Sequence, residues 1–336
     1  MKAVVLVGGE GTRLRPLTET RPKPLIPFMG RPFLHHLLDL LARHGIEEAI
    51  LSSPHLEEEF RAFLKERGGA PRITWITEET PLGTCGAIAS AREHLEETFL
   101  VCNGDILTDL DLSELVAFHG RREATGTIAL TPVEDARPYG LVETDDESRI
   151  LAFREKPSEP IAADVNAGTY VLEPRALDGV PQGVPVSIER ETFPGLIARG
   201  EPLYAFPSDA YWRDLGTPES YLAAHLDALE GRVRDVVAGR PHLGPGVVVE
   251  PGATVEGTVV LGRGARVARG AHVSRSVLHE EALVAERAEV SGSILGPRSE
   301  VGADAVVEDA VLGDGARVAA GAAVHGERVG PERSVS

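Results

Sequence analysis

The 336-residue sequence predicts two architectures in one chain: an α/β domain with a Rossmann-like, mainly parallel sheet flanked by helices, then a left-handed parallel β-helix of hexapeptide repeats. Three observations carry this. Apolar strand-like runs alternate with amphipathic helix-like runs over the first part. A 17-residue period occupies the last part. Glycine-rich turns follow two of the early strands, at the rim where open α/β sheets bind ligands.

In chain order, KAVVLV reads as a strand, RPFLHHLLDLLARHG as an amphipathic helix and EEAILSS as a strand. LEEEFRAFLKER reads as a helix, RITWIT as a strand, GAIASAREHLE as a helix and TFLVCN as a strand. The tail holds four aligned units, 261–277, 278–294, 295–311 and 312–328, in which Leu or Val recurs six, six, then five residues apart. A looser 18-residue unit, LGPGVVVEPGATVEGTVV, precedes them. Each hexad suits a short strand and a turn, and three close one triangular coil, so about five coils fit. This places an N-terminal domain over residues 1–230, a linker over 231–242 and the β-helix over 243–336.

Composition narrows the function. The formal charge is -18, and residues 1–230 carry 22 basic against 38 acidic residues. Such a field repels nucleic acid, so an anionic ligand needs a local basic site. No apolar run reaches the roughly 18 residues that span a bilayer, and KAVVLV is too short for a signal-peptide core. Cys85 and Cys102 have no metal-ligand spacing and read as free thiols of a cytoplasmic protein. Lysine is scarce: Lys2, Lys23, Lys65 and Lys156 stand against thirty arginines. Lys23 and Lys156, both followed by proline, are candidates for sites that want a compact ammonium.

The opening GGEGTRLRPLTETRPKPLIP bares backbone N–H groups on Gly8, Gly9 and Gly11, then supplies Arg13 and Lys23. Bare amides, a bidentate guanidinium and an ammonium suit phosphate oxygens. Neither the dinucleotide fingerprint nor the P-loop pattern is present. Asp105, in VCNGD, and Asp214, in YWRDLGTP, read either as helix caps or as a carboxylate pair for Mg²⁺.

The stretches GGEGTRLRPLTETRPKPLIP, TPLGTCGAI, NGDILTDLDL, REKP, VNAGTYVLEP, SIERETFPGLIARG and YWRDLGTPESYL resemble the sugar-nucleotide pyrophosphorylases, nearest to the mannose-1-phosphate guanylyltransferase group. The resemblance covers residues 1 to about 222, and the tail fits many members. It implies that Gly8, Gly9, Gly11, Thr12 and Arg13 wrap the nucleotide phosphates, with Arg13 and Lys23 on the triphosphate. It places Gly83, Thr84 and Glu78 at the base, Gly104 at the nucleotide, and Asp105 and Asp214 on Mg²⁺. Gly140, Glu155, Asn166 and Gly168 would read the sugar, and Lys156 would grip its 1-phosphate. Arg13, Lys23, Asp105 and Lys156 form the catalytic set. Two departures, Val7-Gly8-Gly9 for Leu-Ala-Gly-Gly and Cys85 for alanine, leave these roles untouched.

The implied activity joins GTP and mannose 1-phosphate, with a homo-oligomer formed through the β-helix. Glucose 1-phosphate with dTTP or UTP, and a heptose 1-phosphate with GTP, are alternatives. A second, acyltransferase activity in the tail would need a base such as His272, His279 or His325, against which stands the reading of surface histidines on a structural coil. A non-catalytic regulator should have lost motif residues that are all present here.

Overall fold

The computed structural model describes residues 1–53, 58–156, 158–234, 236 and 239–336. It divides the chain into two compact units that do not follow chain order. One comprises residues 1–9 and 34–212, the other 10–33 and 213–336. The start of the sequence-predicted LEEEFRAFLKER helix, Pro157 of REKP and part of the 231–242 linker lie outside the described residues.

The first unit is built on strands β1 (Lys2–Leu6), β2 (Glu48–Ser53), β3 (Arg72–Thr77) and β4 (Phe99–Asn103). They lie in the order β3-β2-β1-β4, and each pair is parallel. Ala3, Val4, Val5, Ala49, Ile50, Leu51, Leu100 and Val101 are fully buried, as expected of strands covered on both faces. The chain winds outward from β1 to β3, then returns to β4 on the other side of β1. That reversal opens a crevice beyond the ends of β1 and β4.

Past β4 the sheet changes character. Strands β5 (Gly126–Val133), β6 (Gly140–Thr144), β7 (Ile150–Glu155) and β8 (Ala163–Leu172) follow one another with no intervening helix. Short connections permit antiparallel pairing, and β8 runs antiparallel to β4, β5 and β6. A last strand, β9 (Leu203–Pro207), pairs in parallel with β5.

Helix α1 (Phe33–Arg43) buries Leu34, Leu37, Leu38 and Leu41 at helical spacing. The helices α2 (Glu58–Arg67), α3 (Gly83–Ser90), α4 (Leu112–Arg121) and α5 (Phe193–Ala198) complete the unit. Asp111 caps α4 by accepting from the Glu114 N–H at 3.0 Å, so the caps of this region are not Asp105.

The second unit contains helix α6 (Pro218–Leu229) and the parallel β-helix. Its three sheets hold six, six and five strands: five complete turns and two strands of a sixth. The register is 17 residues, as in Val260↔Val277 and Val277↔Ile294. Leu261, Val267, Val273, Leu278, Val284, Val290, Leu295, Val301, Val307, Leu312, Val318, Val324 and Val329 fill its interior. These are the six-six-five positions of the repeat.

One expectation needs correction. His279 is not a surface histidine: it is buried, with Nε2 3.2 Å from the Tyr221 hydroxyl of α6. It stands at a repeat position that is glycine in the neighbouring turns, at Gly262, Gly296 and Gly313, so its ring reaches α6. His272 and His325 remain on the surface beside Glu256 and Glu308.

Candidate active site

In the first unit predicted residues lie at the ends of β1, β4 and β7 and at the bulge of β8. Leu6 closes β1, and the exposed Gly8 and Gly9 follow. Gly9 has φ 119°, a conformation natural to glycine. The Gly104 N–H donates to the Leu6 carbonyl at 2.9 Å. A Cβ on Gly104 would lie 2.6 Å from that oxygen, so no other residue fits between the strand ends. Asp105 comes next and is thereby fixed at the rim.

Gly140 and Glu155 are cross-strand partners on β6 and β7. A Cβ on Gly140 would meet the Phe153 ring at 2.6 Å and the Glu155 carboxylate at 3.0 Å. Burial, reinforced by the nearby Glu189 carboxylate, raises the Glu155 pKa, while Lys156 Nζ lies 3.7 Å away. Lys156 has φ 51° and a largely exposed side chain. A lysine in the left-handed region is strained, and such strain collects at ligand clamps.

Asn166 orders the bulge in β8. Its Oδ1 accepts from the Gly168 N–H at 2.9 Å, and its Nδ2 donates to the Tyr170 hydroxyl at 2.8 Å. Trp212 Nε1 donates to the Ala167 carbonyl at 2.8 Å. Gly168, with φ 72°, leaves room for Asn103, whose Nδ2 would be 2.6 Å from a Cβ there.

The PLGT loop is clamped from within. Gly83 has φ 66°, and a Cβ would meet the Val186 carbonyl at 2.9 Å. The Thr84 hydroxyl donates to Glu189 at 2.7 Å and accepts from the Ile188 N–H at 2.8 Å. Glu78 is buried, accepting from the Ser52 hydroxyl and the Leu82 N–H, each at 2.9 Å. Its carboxylate therefore shapes the loop. Glu189, Asn103 and Trp212 went unassigned in the sequence. SIERET was a motif stretch, yet nothing in its spacing says that Glu189 reaches Thr84 across more than a hundred residues.

In the second unit the structure brings Arg13, Lys23 and Asp214 together. Gly11, with φ 59°, begins a 3-10 turn over Thr12–Leu14. A Cβ on Gly11 would strike Thr18 at 2.8 Å and Lys23 at 3.2 Å. Arg13 lies 3.7 Å and Lys23 Nζ 3.9 Å from opposite oxygens of Asp214. Both are ion-pair separations, so two cations and one carboxylate share a single small site. Gly216, which the sequence did not single out, makes room: its Cβ would be 2.7 Å from the Arg13 guanidinium and 2.9 Å from Asp214. Thr217, not Asp214, caps α6, accepting from the Ser220 N–H at 3.3 Å.

A cavity of about 450 Å³ opens at the other end of the first unit's parallel strands, lined by Lys2, Glu48, Arg72 and His94 among others. Its carboxylate Glu48 is already engaged by Thr74 at 2.5 Å and Arg72 at 2.8 Å. Cys85 and Cys102 are buried free thiols, and burial pushes Cys102 up to about 12. No helix among the described residues is long and apolar enough to cross a membrane.

Comparison with known proteins agrees with this geometry. The Nucleotidyl transferase family matches residues 2–231, and the GMPPB C-terminal domain matches 237–336. The chain is 43% identical over 286 residues to a mannose-1-phosphate guanylyltransferase of Mycobacterium tuberculosis, covering 83% of this chain and 79% of that one. It is 36% identical over 287 residues to mannose-1-phosphate guanylyltransferase 1 of Arabidopsis thaliana, covering 82% and 79%. Among solved structures, HddC from Yersinia pseudotuberculosis complexed with GMP-PN aligns with a TM-score of 0.59 at 30% identity, over 66% of this chain and 97% of that one. The chain belongs to the nucleotidyl transferase family, among the mannose-1-phosphate guanylyltransferases.

Proposed function

We propose that the protein joins GTP and mannose 1-phosphate into GDP-mannose, releasing pyrophosphate. The observation that carries this is the Arg13–Asp214–Lys23 cluster on a glycine-led turn, two cations gathered within ion-pair distance of one carboxylate. The second phosphate pKa of a sugar 1-phosphate is about 6, so at neutral pH it is mostly a dianion and its attack needs no general base. One of its oxygens attacks the α-phosphorus of GTP in line. The bond from that phosphorus to the bridging oxygen breaks, and pyrophosphate leaves with the electron pair.

The protein's part is alignment and charge. Gly8, Gly9, Gly11 and Thr12 present backbone amides to the nucleotide phosphates, and Arg13 and Lys23 grip the triphosphate. The loop carrying Gly83 and Thr84 lies along the base, with Glu78 ordering it, and Gly104 allows close approach of the nucleotide. Gly140, Glu155, Asn166 and Gly168 read the sugar hydroxyls, while Lys156 neutralises the attacking phosphate. Asp105 and Asp214 are proposed as carboxylate ligands of Mg²⁺. Hard carboxylate oxygens suit that ion, and no group of three or more metal-ligating side chains gathers among the described residues. Two carboxylates, with water and phosphate oxygens completing the shell, is how Mg²⁺ is commonly held. When bound, the ion supplies further neutralisation of phosphate charge.

The test is pyrophosphate release with Mg²⁺ and each of GTP, dTTP, UTP, ATP and CTP, paired in turn with mannose, glucose and heptose 1-phosphates. GTP with mannose 1-phosphate should turn over fastest. A faster pair would overturn the substrate assignment, and no release from any pair would overturn the activity. We also propose a cytoplasmic location, in keeping with the two free thiols. Self-association through the β-helix is proposed too, supported by exposed Leu243, Val248 and Val249 on its first turn. A monomer by light scattering would overturn it.

A further inference from the structure

The segment that carries Arg13 and Lys23 is tied to the last turns of the β-helix by named side chains. Arg328, opening the strand Arg328–Val329, donates from one guanidinium nitrogen to the carbonyl of Arg13 itself at 3.1 Å. Its other nitrogen donates to Glu219 in the first turn of α6 at 2.9 Å. Asp314, at the turn after the neighbouring strand Val311–Leu312, accepts from Arg21 at 3.2 Å. Those two strands are paired, Val311 with Arg328 and Leu312 with Val329. Both tethers therefore rise from one edge of one sheet.

The repeat shows that the Asp314 tether is a specific departure from the pattern. Its position in the 17-residue unit is filled by Arg263, Glu280 and Pro297 in the earlier turns. Arg263 is exposed and Glu280 half-buried, whereas Asp314 is only 5% exposed. A coil turn needs no buried carboxylate. A buried carboxylate needs a partner, and Arg21 is the one it has. The anchor then transmits. Arg21 is followed by Pro22, Lys23 and Pro24, so proline fixes φ on both sides of Lys23. Few torsions separate the held arginine from the gripping lysine.

We propose that Asp314 and Arg328 are positioning residues of the transferase reaction, holding Arg13 and Lys23 in the geometry that grips the nucleoside triphosphate. The inference rests on the reading that this segment binds GTP. It gives the β-helix a part in catalysis that its repeat alone does not announce.

The test compares full-length wild type with Asp314→Asn, Asp314→Ala, Arg328→Ala, Arg328→Lys and the double variant Arg21→Ala/Asp314→Ala. For each, kcat, KM for GTP, KM for mannose 1-phosphate and Tm are measured. Arg328→Ala and Asp314→Asn should lower kcat/KM for GTP about tenfold and leave KM for mannose 1-phosphate within about twofold. Arg328→Lys, which can still donate to the Arg13 carbonyl, should recover part of the loss. The double variant should be no worse than Asp314→Ala alone, because the two groups act as one pair. Arg328 is half-exposed, so its variants fold even if a buried Asp314 variant does not. Folded Arg328 variants with unchanged GTP kinetics would overturn the proposal. So would equal rises in both KM values that merely track Tm. Wild type inactive with every substrate pair sinks the functional reading and this inference together; active wild type with indifferent variants sinks this inference alone.

Discussion

The candidate site residues of the sheet unit and those of the β-helix unit are held in place by different physics. In the sheet unit, Gly104, Gly140 and Gly168 sit where backbone or packed side chains leave no room for a Cβ, and the strand ladder supplies the rigidity. In the β-helix unit, the 10–33 segment has 3-10 turns and one two-stranded ribbon at Pro27–Phe28 and Arg31–Pro32. Side chains hold it instead: Thr18 to the Gly11 carbonyl at 2.8 Å, Arg328 to Arg13, Asp314 to Arg21, and Tyr221 to the Pro27 carbonyl. A ladder fixes a site by exclusion, whereas a tethered segment is fixed by attachment. The first should fail abruptly when altered and the second by degrees.

The sharpest test of that contrast is Gly104→Ala. The added methyl would press on a backbone carbonyl that two paired strands hold, so nothing nearby can move. We expect kcat/KM to fall at least about 100-fold, equivalent to roughly 2.7 kcal/mol of lost transition-state stabilisation. Near-normal steady-state kinetics would break the exclusion argument. Gly216→Ala should do less. Its methyl meets the ends of Arg13 and Asp214, which are side chains able to swing aside. An increase of about tenfold in KM for GTP is expected, and an effect equal to that of Gly104→Ala would erase the distinction.

A change of pH acts on stability rather than on turnover. Burial pushes the His279 imidazole down to about 3 from 6.5, with like charge on His225 and Arg21 adding to it. Between those values the unfolded chain binds a proton that the folded chain refuses. Stability from this group is therefore undiminished above about 6.5 and declines as pH falls towards 3, by ~1.4 kcal/mol per pH unit. His279→Gln should flatten the acid limb of a urea-midpoint profile taken from pH 7 to pH 4. An unchanged slope would assign the acid sensitivity elsewhere.

Much of this was legible in the sequence because it is local or periodic. The six-six-five spacing of Leu and Val is the β-helix interior, residue for residue. GGEGTR and RPKP place glycines, an arginine and a lysine within a few positions of one another, and the parallel half of the sheet follows from strand and helix alternation. What could not be read depends on distant pairs. Glu189 finds Thr84 across 105 residues, and Arg328 finds Arg13 across 315. The antiparallel half was hidden because pairing partners are set by the closed fold, not by a strand's own pattern. Glu78 shows the complementary case: a carboxylate beside the PLGT loop is spent on ordering it.

The distance between Arg13 and its tether has a consequence for how the protein is made. Synthesis proceeds at about 5–20 residues per second, so Arg13 leaves the ribosome roughly 15 to 60 seconds before Arg328 exists to hold it. Through that interval the nascent chain can assemble the parallel strands while the Arg13 carbonyl lacks its Arg328 partner. A ribosome that stops one coil early releases a chain with every proposed catalytic residue present and the Arg13 carbonyl without its tether.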